Sequence, residues 1–295
     1  MSPAKFRFLV TIVLLAGNIY CEAGSNHGIL DAFNARVLGS GNKTLVLSHG
    51  FGSDQTVWQK VLPYFLKKGF KVITFDLAFA GAADPSRFDF NRYGSFDGYV
   101  HDVLLILDEL KVDECVFVGH SMSAMIGSIA AIQRPNLFEH LILLGGSPRY
   151  LNAPGYEGGF EQTAIDQLFR SLKSNYTAWA TGFASMAVGS QFHDAVHKFR
   201  KTLLAMRPDI AYFVGKQVFE SDERSILREV KVPCLVIQSK KDIIAPLFVA
   251  EYLKTHLGRK GKTQVEILQT QGHFPQLSIP SLVIRAFQRI ILTEN

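Results

Sequence analysis

Apolar residues follow two rhythms along the chain. Short continuous runs recur at Thr44–Leu47, Val72–Phe75, Cys115–Val118, Leu141–Leu144, Cys234–Ile237 and Val265–Leu268. Their length and β-branched content predict strands buried on both faces. Between them the apolar positions switch to helical spacing. Val100, Val103, Leu104, Leu107 and Leu110 share one face; so do Leu282, Val283, Ala286, Phe287 and Ile290, with Pro280 near that helix's start. Strand alternating with helix predicts an α/β fold, a mostly parallel sheet wrapped by helices. In such sheets the chemistry lies beyond the carboxyl ends of the strands.

From about residue 148 to 207 the alternation breaks and only helical faces remain. Ile165, Leu168, Phe169 and Leu172 form one, and Val196, Phe199, Leu203 and Met206 another. A helical insertion in an α/β sheet predicts a cap over the strand ends. Residues 28–147 and 208–295 then make the core, and 148–207 the cap. The cap segment is aromatic, with Tyr150, Tyr156, Trp179 and Phe183 among its rings. Any one ring belongs more readily to packing than to a ligand. Together they predict an apolar, largely enclosed pocket.

Composition narrows the classes. With 47% hydrophobic and 19% charged residues, the chain is not a disordered or low-complexity one. The net charge of +5 is scattered, with no basic run to suggest nucleic acid. Three cysteines, Cys21, Cys115 and Cys234, exclude a disulfide scaffold and lack zinc-ligand spacing. Lys5 and Arg7 precede the apolar run Phe8–Ala16, and Cys21-Glu22-Ala23 places small residues at a possible cleavage site. Residues 1–23 thus have the anatomy of a secretory leader, with a run too short to span a bilayer comfortably. A gene-model extension or an uncleaved leader is the competing reading. Two glycosylation sequons, at Asn42 and Asn175, matter only on the secretory route.

The chemistry concentrates where the run Cys115–Val118 enters Gly119-His120-Ser121-Met122-Ser123, followed by a helical stretch, Met125–Gln133. Strand, sharp turn and helix with serine at the tip is a nucleophile elbow. Close approach of strand and helix demands small residues on both sides of the serine. Gly119 meets that demand, and Ser123 replaces the usual second glycine. Serine needs a base, and this fold orders serine, acid, histidine. Asp242 follows the run Cys234–Ile237 as the expected acid, and His273 follows Val265–Leu268 as the expected base. The backbone N–H groups of Met122 and of Phe51, in His49-Gly50-Phe51-Gly52, are the expected oxyanion donors. His49 and His120 are rival bases whose motif positions make them structural or pocket-lining. Serine at the elbow points to ester, lactone or C–C acyl chemistry. No phosphate loop, dinucleotide fingerprint or metal cluster is present, and no cofactor is required.

These residues resemble a known family. His49-Gly50-Phe51-Gly52-Ser53-Asp54-Gln55-Thr56-Val57-Trp58, Phe88-Asp89-Phe90-Asn91-Arg92-Tyr93, Gly119-His120-Ser121-Met122-Ser123-Ala124-Met125 and Gly272-His273-Phe274-Pro275-Gln276-Leu277 are similar to segments of the plant strigolactone and karrikin receptor hydrolases. Gly145-Gly146-Ser147 and Phe75-Asp76-Leu77-Ala78-Phe79-Ala80-Gly81 resemble most the family's third, less characterised branch. The resemblance implies an α/β-hydrolase fold, a four-helix cap, a triad of Ser121, Asp242 and His273, and slow hydrolysis of a small apolar butenolide. It gives pocket positions to Phe51, His120, Tyr150, Trp179 and Phe183. Ile244 stands where strigolactone receptors usually have a small polar residue, which leaves the ligand preference open. The family's partners would be an F-box protein and a Clp-ATPase-like repressor, in cytoplasm and nucleus; a working leader would divert the chain to the secretory pathway. Two function readings follow: a slow serine hydrolase, or a ligand-sensing receptor module with little turnover.

Overall fold

The computed structural model describes residues 28–84, 86, 88–258 and 263–291; the leader-like segment and Cys21 lie outside them. Seven strands form one sheet: β1 (Arg36–Leu38), β2 (Thr44–Ser48), β3 (Lys71–Thr74), β4 (Cys115–His120), β5 (Phe138–Leu144), β6 (Cys234–Lys241) and β7 (Thr263–Gln271). Their spatial order is β1-β3-β2-β4-β5-β6-β7. β1 runs antiparallel to β3, and the other neighbouring pairs are parallel. Every residue of β2 and β4 is buried, as the unbroken apolar runs require.

Helices α1 (Ile29–Ala32), α2 (Leu62–Lys67), α3 (Asp97–Glu109) and α4 (Met122–Gln133) occupy the connections of the first half. α3 buries Val100, Val103 and Leu107 of its expected face, together with Ile106. Between β5 and β6 come α5 (Gln162–Ser174), α6 (Tyr176–Val188), α7 (His193–Ala205) and α8 (Pro208–Glu220). After β6 follow α9 (Leu247–His256), α10 (Pro275–Ser278) and α11 (Pro280–Ile291), whose Val283, Ala286 and Phe287 are buried. Val283 and Phe287 each contribute about 1.5–3 kcal/mol by leaving water, and the Ala286 methyl less.

Three boundaries differ from expectation. The antiparallel β1 has no apolar run to announce it, and its Arg36 and Val37 are exposed. β7 is an edge strand, so Val265 and Ile267 are only half-buried rather than covered on both faces. α8 starts one residue past 207 and packs with the insert, its Phe219 ring lying 6.1 Å from Phe169 of α5. The helical insert therefore extends to Glu220, beyond the core boundary at 208. It seats on the sheet's loops: the Phe199 ring of α7 lies 4.1 Å from Phe274, which follows β7.

Candidate active site

β4 ends in the turn that carries Ser121, whose φ of 56° and ψ of −121° lie where few L-residues settle. The strain follows from close packing. A Cβ at Gly119 would stand 2.2 Å from the Ser123 carbonyl oxygen, so only glycine fits there. At the second small position, Ser123 bonds Ser48 Oγ at 2.9 Å and donates to the His49 carbonyl. β2 pairs with β4 up to Ser48 and Gly119, which sets the loop after β2 beside the elbow. A Cβ at Gly50 would meet Ser121 Cβ at 2.8 Å.

Asp242 follows β6 directly, and His273 lies two residues past the end of β7. The histidine reaches back across the strand tips. Gly145, after β5, has φ of +61°, and a Cβ there would press on the imidazole at 3.1 Å. His273 Nδ1–H donates to Asp242 Oδ2 at 2.7 Å, and Ser121 Oγ–H donates to His273 Nε2 at 2.8 Å. All three side chains are buried. The Asp242 carboxylate accepts three further bonds. Gln238 Nε2 donates to Oδ2 at 2.8 Å, and the N–H groups of Ile244 and Ala245 donate to Oδ1 at 2.8 and 3.2 Å. Both carboxylate oxygens are thereby held in place. Such an array can take the serine proton, hold the resulting imidazolium and return the proton to a leaving group.

Above Ser121 lies a narrow cavity of about 300 Å³, counting its open mouth. Phe51, Tyr150, Phe183 and Ile244, all expected at the pocket, line it beside Ser121 and His273. The Tyr150 hydroxyl stands 3.3 Å from Ser121 Oγ. Burial pushes that phenol's pKa well up, so it keeps its proton and can donate to Ser121. Met122 is the first residue of α4, and its N–H belongs to a helix terminus. Among the described residues, no group of His, Cys, Asp or Glu is placed to hold a metal.

Two expected pocket residues do not line the cavity. Trp179 stacks between Tyr176 and Phe183, with ring centroids at 5.6 and 5.1 Å, so the cap's own packing takes its faces. His120 lies under the elbow, fully buried; its Nε2–H donates to the His273 carbonyl at 2.8 Å. Burial, with His273 nearby, holds its pKa well below 6.5. His49 is also buried and neutral. Its Nε2 accepts from the Leu77 N–H and its Nδ1–H donates to the Gly50 carbonyl, both at 2.9 Å. Neither histidine touches Ser121 Oγ in place of His273. The structure adds Ala187, Phe199, Val218, Phe219 and Phe274 to the walls. The sequence places Phe199 only on a cap face, and Val218 and Phe219 lie past the expected cap boundary. Gln238 is the first polar residue after the apolar run Cys234–Ile237, still inside β6 and buried.

The sheet, elbow and loop order define an α/β hydrolase, and residues 43–280 match that family's model, described as the alpha/beta hydrolase fold. Within it, the chain belongs to the family of strigolactone esterases and karrikin receptors. It is 51% identical over 267 residues to a strigolactone esterase of Arabidopsis thaliana, covering 90% of this chain and 99% of that one. With a karrikin insensitive 2 receptor of Petunia hybrida it shares 49% identity over 262 residues, 88% of this chain and 96% of that one. A solved hydrolase from Oleispira antarctica superposes with a TM-score of 0.86 at 31% identity, covering 90% and 97% of the two chains.

Proposed function

We propose that the protein is a serine hydrolase that slowly opens a small apolar ester or butenolide lactone, and that this reaction serves ligand perception. The observation that carries the reading is the Asp242–His273–Ser121 relay, with bonds of 2.7 and 2.8 Å, on the floor of an apolar cavity. Ser121 Oγ attacks the carbonyl carbon while its proton passes to His273 Nε2. Asp242 stabilises the imidazolium, and the Phe51 and Met122 N–H groups receive the oxyanion. Collapse expels the alkoxide or enolate, which takes the proton from His273. Water then enters with His273 as base and frees Ser121 from its acyl group.

A second reading, sensing with little turnover, is favoured by the narrowness of the cavity and by relatives named as receptors. It would place the chain in cytoplasm and nucleus with an F-box protein and a Clp-ATPase-like repressor. Co-precipitation of the tagged chain with such proteins, with and without a butenolide, tests that part. The hydrolase part is tested with a fluorogenic butenolide on wild type and Ser121→Ala, alongside ligand-dependent melting. The variant should lose ~10³-fold or more of the rate and keep the ligand-induced shift. Near-wild-type turnover in Ser121→Ala would reject Ser121 as the nucleophile.

A further inference from the structure

The loop after β2 holds its carbonyl groups in an unusual way. The Gly50 carbonyl accepts from His49 Nδ1–H at 2.9 Å, from the Ser53 hydroxyl at 2.9 Å and from the Ser53 N–H at 3.3 Å. The preceding His49 carbonyl accepts from the Ser123 hydroxyl, itself bonded to Ser48. His49, Ser53, Ser123 and Ser48 are all buried, so these bonds do not compete with water. The Leu77 N–H on His49 Nε2 leaves the imidazole proton on Nδ1, the nitrogen that faces Gly50.

The Gly50 C=O and the Phe51 N–H belong to one peptide unit. That unit is planar, and no cis bond occurs among the described residues, so the two groups point in opposite directions. Pinning the carbonyl from one side aims the N–H to the other. Gly50 itself packs against Ser121, where an added Cβ would stand 2.8 Å from the serine Cβ, so the peptide unit that carries the Phe51 N–H adjoins the nucleophile's residue. We propose that His49, Ser53 and Ser123 are positioning residues that aim the Phe51 N–H at the oxyanion by clamping the two carbonyls before it. The inference rests on the hydrolase reading above. On this view the serine at the second elbow position has a use that glycine lacks, because its hydroxyl ties the elbow to the loop that completes the site.

Ser53→Ala tests it with p-nitrophenyl acetate as substrate and phenylboronic acid as probe. Boron accepts a lone pair from Ser121 Oγ, the serine proton passes to His273, and the tetrahedral borate places an oxygen where the oxyanion forms. Removing an oxyanion donor outright costs roughly 10²–10³-fold in kcat, so a donor misaimed but present should lose about tenfold. The expected result is kcat about tenfold lower and boronate inhibition about tenfold weaker, with KM and melting temperature near wild type. Ser53→Thr keeps the hydroxyl and should restore both. Ser123→Ala should reproduce the pattern from the other carbonyl and serves if Ser53→Ala does not fold. Boronate inhibition unchanged in both alanine variants, or kcat, KM and melting temperature falling together, would overturn the inference. A wild type that neither turns over nor binds boronate removes the hydrolase reading itself, and this inference with it.

Discussion

Asp242→Asn replaces one oxygen of the site's most densely bonded carboxylate with an NH₂ group. Oδ1 faces the N–H groups of Ile244 and Ala245; Oδ2 faces His273 Nδ1 and Gln238 Nε2. All four partners donate. An asparagine has one accepting oxygen and one NH₂ group that only donates. Placing its oxygen on the two backbone N–H groups turns the NH₂ toward His273, which must then carry its proton on Nε2 and can no longer accept from Ser121. Placing the oxygen on His273 sets the NH₂ against two backbone donors that cannot move away, at about 1–3 kcal/mol for groups left unpaired. The first arrangement is favoured, and it holds the wrong tautomer. The expected loss in kcat approaches ~10⁴-fold. Stopped-flow or continuous assay with p-nitrophenyl acetate measures it, with melting temperature as the control for folding. A folded Asp242→Asn protein within tenfold of the wild-type rate would refute the reasoning, because the tautomer would then not govern proton transfer.

Other perturbations separate packing from ligand contact. Trp179→Ala removes a ring stacked on both faces inside the cap, so it should cost ~3–5 kcal/mol and lower the melting temperature by several degrees. Phe183→Ala opens the cavity wall and should weaken an apolar butenolide by about tenfold while sparing p-nitrophenyl acetate; equal losses on both substrates would contradict this. Gly119→Ala forces a methyl into backbone at 2.2 Å and should leave little soluble folded protein, as a solubility and melting assay would show. His49 and His120, held below 6.5 by burial, refuse protons that the unfolded chain accepts. Their contribution to stability is therefore complete above about pH 6.5 and declines below it, so melting temperature should fall from there toward roughly pH 5, less steeply in His120→Gln.

How far the sequence could be read depended on whether a residue's task left a local trace. Parallel strands buried on both faces must be unbroken apolar runs, so β2, β4, β5 and β6 stand out, whereas β1 pairs at an edge with exposed Arg36 and Val37 and leaves none. Ser121, Asp242 and His273 lie at or just past strand ends, and chain order alone brings them into line. Pocket membership has no such trace. Trp179 and Phe183 are one helical turn apart on α6 and both buried, yet only Phe183 reaches the cavity, because their rings stack and one shields the other. His120 looked like a pocket residue from its place beside Ser121. The elbow's φ of 56° turns Ser121 alone upward and leaves its neighbour beneath, bonded to the His273 carbonyl.

The cap is tied to the parts of the site that do chemistry as well as to those that hold ligand. α7 reaches the loop after β2: Thr202 Oγ1 donates to the Gly52 carbonyl at 2.7 Å, and Leu203 lies so close that a Cβ at Gly52 would meet it at 2.5 Å. α6 reaches the loop after β7, where the His273 N–H donates to the Ala187 carbonyl at 2.7 Å. The same helices supply Phe183, Ala187 and Phe199 to the cavity wall. A ligand that spreads the wall therefore pulls on the loop carrying Phe51 and on the loop carrying His273. Cap position and catalytic alignment are linked through these contacts.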